Sequence, residues 1–203
     1  MKKILLCIAF ITTAALSALA ADDAAKVIAD AAAKLHGAKS VTATCKITSP
    51  AGTENATLVM SGTKFFVKAP QTEIWYDGST LWSYSRSTNE ITLSEPSQEE
   101  LSEINPLSVM EYFTSTYTAS MLAPSAGKKN IKLTADKSSR GIASAEVSLN
   151  ATTLAPSAVT LLLSNGQKIS IAISSLKFGG TLPESTFTFR MTRHPSAVLV
   201  DLR

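Results

Sequence analysis

The sequence predicts a mainly β domain with helices: a strongly curved or half-closed antiparallel sheet whose apolar face is covered by helical segments. Three observations carry this. Apolar and polar residues alternate along about ten short stretches, the period of half-buried strands. Gly- and Asn-bearing pairs punctuate those stretches as turns do. Only two regions space their apolar residues as helices do, so they are the only cover the chain offers to a one-sided sheet.

Residues 1–20 have the order of a secretory signal: Lys2 and Lys3, an uncharged apolar run over 4–16, then Ala18-Leu19-Ala20 as a small-x-small cleavage pattern. The run falls short of the ~20 residues that cross a bilayer. Cleavage after Ala20, and export of residues 21–203 as one soluble domain, are therefore expected, with Cys7 discarded. Asp22 and Asp23 open a helix with Val27, Ile28, Ala31 and Leu35 on one stripe and Gly37 at its end.

From Ser40 to Ser94 the period is two: Val41, Ala43, Cys45 and Ile47, then Leu58 and Met60, then Phe65 and Val67, with Pro50-Ala51-Gly52, Ser61-Gly62 and Asp77-Gly78 between runs. Between Ser94 and Leu122 the pattern is helical. Pro96, Ser97, Glu99 and Glu100 mark a start carrying Leu101 and Ile104, and Asn105-Pro106 starts a second helix with Leu107, Met110 and Phe113. Strands return with Ile131 and Leu133, Val147 and Leu149, Val159, Leu161 and Leu163, and Ile169, Ile171 and Ile173, the last two joined by a two-residue Asn165-Gly166 hairpin. Phe187 and Phe189, then Val198 and Val200, read as two closing strands. No repeat or linker divides the chain.

Charge and composition exclude several functions. Nineteen Lys and Arg oppose sixteen Asp and Glu, and removal of Lys2 and Lys3 leaves the mature chain at +1 with no basic cluster, so nucleic acid is not expected as a partner. With Cys7 removed, Cys45 stands alone on an apolar strand face and reads as a buried structural thiol. His36 and His194 belong to no metal-ligand spacing, and neither a Gly-x-Ser-x-Gly elbow nor a phosphate-binding glycine loop is present. The carboxylates at Glu95, Glu99, Glu100 and Glu103 suit the first turn of a helix better than acid–base chemistry. No enzyme, cofactor or metal is expected. Trp75, Tyr76, Trp82 and Tyr84 read as cross-strand hairpin pairs, with an aromatic binding surface as the alternative. Met60, Met110, Met121 and Phe113 are either core filling or the adaptable wall of a site for variable apolar shapes.

The run Asp77-Gly78-Ser79-Thr80-Leu81-Trp82-Ser83-Tyr84, followed by Asn89-Glu90-Ile91-Thr92 and Pro96, resembles the signature hairpin of the outer-membrane lipoprotein carrier (LolA) family. Phe187-Thr188-Phe189, Pro195 and Val200-Asp201-Leu202-Arg203 resemble that family's closing pattern, and Glu99-Glu100-Leu101 with Ile104-Asn105-Pro106 resembles a branch found in Bacteroides-type bacteria. The resemblance implies an incomplete antiparallel β-barrel with an α-helical lid, in the periplasm. Its apolar cavity would receive the acyl chains of a lipoprotein on its way from the inner to the outer membrane. The residues assigned to cavity and lid are Leu58, Met60, Phe65, Val67, Trp82, Leu101, Ile104, Leu107, Met110, Phe113, Met121, Leu161 and Ile171.

The implied partners are an inner-membrane lipoprotein-releasing ABC transporter as donor and an outer-membrane acceptor, with the carrier a monomer. The alternative is a lipid- or lipoprotein-sensing regulatory module of the same fold. Such modules carry a second domain, and the end of this chain at Arg203 favours the carrier. Two departures from the family are visible. Lys68-Ala69-Pro70 has Ala69 where the family has an arginine that latches the lid, and the short connection from Pro70 to Asp77-Gly78 predicts that a strand is wholly or partly missing.

Overall fold

The computed structural model describes residues 23–97, 100–101, 116–135 and 141–203. The expected signal segment, with Ile104, Leu107, Met110 and Phe113, lies outside the described residues. A helix α1 covers 23–36, and twelve strands follow: β1 (Ser40–Ser49), β2 (Gly52–Ser61), β3 (Lys64–Lys68), β4 (Thr72–Tyr76), β5 (Leu81–Ser85) and β6 (Glu90–Ser94). Further along the chain come β7 (Tyr117–Met121), β8 (Lys128–Ala135), β9 (Ile142–Asn150), β10 (Pro156–Leu163), β11 (Lys168–Gly179) and β12 (Val198–Asp201). They form one open, curved sheet in the order β12-β6-β5-β4-β3-β2-β1-β11-β10-β9-β8-β7. Every pairing is antiparallel except that of β12 with β6, which is parallel.

Because side chains alternate across a strand, the register sorts them onto two faces. On the inner face, Val41 lies opposite Met60 and Ala43 opposite Leu58, while Val147 lies opposite both Val159 and Ile131. The α1 stripe crosses this face. Its Ala24, Val27, Ile28 and Ala31 pack on Tyr117, Ala119, Ile131, Leu133, Ala145 and Leu149, and its Leu35 packs with Val41, Met60, Phe65, Tyr76 and Leu101. The helix ends at Gly37, whose N–H reaches the Ala33 carbonyl at 2.9 Å, and a Cβ at residue 37 would crowd that oxygen at 3.2 Å. On the outer face, Trp75, Tyr84 and Ile91 are covered by Phe189 and Ala197 of the C-terminal segment.

Four expectations are corrected. The segment assigned to helices ends in a further strand, β7, because Tyr117 and Ala119 alternate inward against β8 and the Tyr117 hydroxyl donates to the Ile142 carbonyl at 2.7 Å. No strand is missing after Pro70. The short connection is absorbed by a tight turn, with the Ala69 N–H donating to the Thr72 carbonyl at 2.8 Å, so β4 is complete. The Asn165-Gly166 hairpin has one residue more than expected: the Gly166 N–H bonds to the Leu163 carbonyl, Gly166 takes φ +83°, and the Leu163 N–H bonds to the Gln167 carbonyl, a β-turn closed by a glycine bulge.

Phe187 and Phe189 do not form a closing strand. They sit between single 3₁₀ turns at Glu184–Thr186 and Met191–Arg193, and their alternation buries both rings against the sheet without joining its ladder. Ser40 is a buried polar side chain at the head of β1, and its hydroxyl donates to the Gly180 carbonyl at 2.7 Å. Gly179 makes room for it, since a Cβ there would stand 2.8 Å from the Ser40 oxygen.

Candidate functional site

The two inner-face core clusters do not meet. Between them lies a cavity of about 420 Å³, walled by Ile28, Ala31 and Leu35 of α1, Val41 and Ala43 of β1, Leu58 and Met60 of β2, Leu133 of β8, Ala145, Val147 and Leu149 of β9, Pro156, Val159 and Leu161 of β10, and Ile171, Ile173 and Leu176 of β11. Every lining side chain among the described residues is apolar. Helix α1 packs closely over β7 to β9 and reaches the β1–β3 side through Leu35, but Val159, Leu161, Ile171, Ile173 and Leu176 remain only half-buried. The space is therefore open to solvent on the β10–β11 side. Three alanines, Ala31, Ala43 and Ala145, sit where leucine-sized side chains would fill it.

Of the residues assigned from sequence, Leu58, Met60, Leu161 and Ile171 line this cavity. Phe65, Val67 and Leu101 are on the same face but belong to the closed cluster beyond it, and Met121 packs at the edge of the other cluster. Trp82 is on the opposite face: it pairs with Trp75 across β4 and β5 and packs on the outer cluster. The sequence reading left out the α1, β1, β8 and β9 walls. Register was the available signal, since with Leu58 and Met60 inward their partners Ala43 and Val41 follow directly.

Ser97 and Glu100, just after β6, form a capping box. The Glu100 carboxylate accepts from the Ser97 N–H (2.8 Å) and hydroxyl (2.9 Å), and the Ser97 hydroxyl oxygen accepts from the Glu100 N–H (3.3 Å). These Ser97 bonds hold the Glu100 carboxyl below its ordinary range. Because the folded value is depressed, the cap is complete above the ordinary glutamate pKa and is lost as pH falls through the folded one. A carboxyl NMR titration is expected to place Glu100 below free glutamate and to move it only part of the way back in Ser97→Ala, which removes the hydroxyl but keeps the backbone N–H. An unshifted Glu100 would show that the cap is absent in solution.

Ala69 offers no side chain for a latch, and Lys68 points to the outer face, where it pairs with Glu73 at 3.4 Å. Glu73 also meets His194 Nε2 at 3.4 Å, and the His194 ring stacks on Tyr84 at 3.7 Å between centroids. Arg193 lies over Trp75 at 5.4 Å. This outer constellation fastens the C-terminal segment to the sheet. A second, half-polar depression at the β12 edge, lined by Leu81, Ser94, Glu95, Pro96, Glu100, Leu202 and Arg203, has its charges already engaged: Arg203 with Asp201 and Glu95, Glu100 with Ser97. Its bidentate bond to Arg203 pulls the exposed Asp201 down to about 2.

Cys45 is half-buried rather than buried, and its thiol lies 3.6 Å from the Ala56 carbonyl. Burial pushes its pKa up from the ordinary thiol value. Since the thiolate is the reactive form, maleimide labelling of the folded protein is expected to be slower than that of the unfolded chain, with its pH–rate curve displaced to higher pH. Equal rates in both states would contradict the burial. Among the described residues no three His, Cys, Asp or Glu side chains are grouped to hold a metal, and no helix is long and apolar enough to cross a membrane.

Comparison with solved structures returns the same architecture. An uncharacterised conserved protein from Thermus thermophilus superposes with a TM-score of 0.59 at 14% identity, over 87% of this chain and 98% of that one. MucB of Pseudomonas aeruginosa, in its complex with MucA, superposes with a TM-score of 0.52 at 15% identity, over 83% of this chain and 61% of that one. A LolA superfamily protein from Nitrosomonas europaea is a more distant match, with a TM-score of 0.40 at 14% identity over 82% and 98%. No curated protein matches in sequence. The family model of the outer membrane lipoprotein carrier protein LolA matches residues 14–174, most of the chain and nearly all of the cavity wall, and the protein belongs to that family.

Proposed function

We propose that the protein is a periplasmic carrier that binds lipoprotein acyl chains in the cavity under α1 and moves them from the inner to the outer membrane. The observation that carries this reading is the cavity itself: about 420 Å³, open on one side, with only apolar side chains among the described residues of its wall. An apolar ligand gains roughly 0.8 kcal/mol per methylene withdrawn from water, and a carboxylate, sugar or nucleotide would find no partner there. The protein acts by binding, not catalysis. The donor is an inner-membrane lipoprotein-releasing ABC transporter, the acceptor is at the outer membrane, and the segment from Ser97 to Phe113 is the cover. The mature chain begins at Ala21, which intact-mass analysis of the exported protein checks.

The likeness to MucB, solved with MucA, favours a second reading, a lipid-sensing module that regulates a partner protein. Mass spectrometry of the protein purified from its own periplasm separates the two. Co-purified lipoprotein supports the carrier, and free lipid with a stoichiometric protein partner supports the sensor. Protein that carries neither, and that also takes no lipoprotein from inner-membrane vesicles in the presence of ATP, would overturn the carrier reading.

A further inference from the structure

We propose that the outer face of β1 and β8 to β11 docks the protein on a bilayer rich in anionic phospholipid, with Lys46, Lys128, Lys132, Lys168 and Lys177 as the groups that hold it there. This does not depend on what occupies the cavity. The five lysines are far apart in the chain, and the register gathers them: Lys46 lies opposite Asn55 and Ala172, Lys177 opposite Thr42, Lys168 opposite Leu162, Lys132 opposite Glu146 and Lys128 opposite Asn150. Each alternates with the inward residues of its strand, so all five share the face turned away from α1.

Among the described residues the imbalance of charge is confined to this face. Glu146 is its one carboxylate, whereas the ten Lys and Arg elsewhere are matched by ten Asp and Glu. Lys26, Lys64, Lys68 and Arg203 are in ion pairs with carboxylates. None of the five outer lysines is so paired among the described residues, Lys132 included, although Glu146 is directly across from it. Four of the five are exposed and Lys132 is half-buried. With no internal counter-charge beside them, their field is available to an anionic partner.

The groups between the lysines are small and mostly polar. One row across the sheet runs Lys132, Glu146, Thr160, Ser170 and Thr48, and the next runs Asn130, Ser148, Ala158, Ala172 and Lys46. No Trp, Tyr, Phe or Arg stands among the described outward residues of these strands, and protein interfaces concentrate their binding energy on Trp, Tyr and Arg. A bilayer needs no such anchor, because its anionic heads are mobile and lysines reach them as point charges on flexible stems. Each lysine within a Debye length of such a surface, about 10 Å, is worth about fivefold in partitioning. Leu162, 42% exposed opposite Lys168, adds an apolar group at the headgroup boundary. Helix α1 and the cavity lie across the sheet and stay turned to the aqueous space.

The test is co-sedimentation of the full mature protein with vesicles of phosphatidylcholine alone or mixed with phosphatidylglycerol, at low and high ionic strength. Binding to the mixed vesicles only, lost at high salt, is expected. Lys46→Gln with Lys177→Gln should lower the partition coefficient about 25-fold, and Glu146→Gln should raise it about fivefold. These side chains are exposed and carry no bond in the fold, so the variants should melt as the parent does. Lys26→Gln with Lys34→Gln, the same charge removed from α1, should change binding by no more than about twofold. Equal binding to both kinds of vesicle, binding that survives high salt, or an equal loss in the α1 variant would overturn the inference. Failure to bind either vesicle would also overturn it, and lysine-dependent retention on poly-glutamate would then assign the face to an acidic protein. Each of these outcomes leaves the carrier reading standing.

Discussion

Leu161→Glu will cut acyl-chain affinity at least about 100-fold while leaving the protein folded. Leu161 lines the cavity on its open side and is half-buried, so in the empty protein a carboxylate there still reaches water. A bound chain would remove that water and leave a charge without a partner in the wall, at a cost of several kcal/mol, and each 1.4 kcal/mol is about tenfold in affinity. Leu161→Met, which conserves volume, should bind as the parent does. Palmitate titration and thermal melts of both variants check this. If Leu161→Glu keeps its affinity, ligand does not occupy the space bounded by β10; if it unfolds, Leu161 is sealed core and the open side is misassigned.

The largest stability effect is expected on the other face. Trp75 has no exposed surface and packs on Phe66 at 5.3 Å and Phe189 at 5.2 Å between ring centroids, beneath Arg193. Trp75→Ala should lose about 3–5 kcal/mol, the range for deleting a buried aromatic. At about 2–4 °C per kcal/mol for a chain of this length, the melting temperature falls by roughly 10 °C. The indole N–H is buried without a partner, so Trp75→Phe, which keeps a ring and removes that donor, should recover much of the loss. Palmitate stoichiometry of the folded fraction should not change, because the cavity lies across the sheet. A loss below about 1 kcal/mol in Trp75→Ala would mean that the C-terminal segment does not seal this face in solution.

Much of the β architecture was legible because a period of two states both that a segment is a strand and which of its residues share a face. Where chemistry and period agreed, as in Val41 to Ile47 or Ile169 to Ile173, strand and inward face were both read correctly. The errors lie where tertiary partners decide the outcome. Tyr117 to Met121 is a strand whose own pattern did not outweigh the helix signals before it, and it exists because a pairing partner is beside it. Phe187-Thr188-Phe189 has the right alternation but covers a face instead of extending an edge, a distinction that local period does not contain. Trp82 was assigned to the cavity, and the register with Trp75 puts it on the outer face.

By itself the sequence determined the strands and their apolar inner face, an amphipathic first helix, the capped start at Ser97 and the absence of any recognisable catalytic spacing, because each depends on residues near one another in the chain. Only the tertiary structure decided that the apolar face is left unfilled at its centre. Alanines at 31, 43 and 145 are ordinary residues in a helix and two strands, and nothing local marks them as aimed at one point. A cavity is the difference between the volume that the backbone encloses and the volume that the side chains fill, so it appears only once strands from both ends of the chain and the helix before them are brought together.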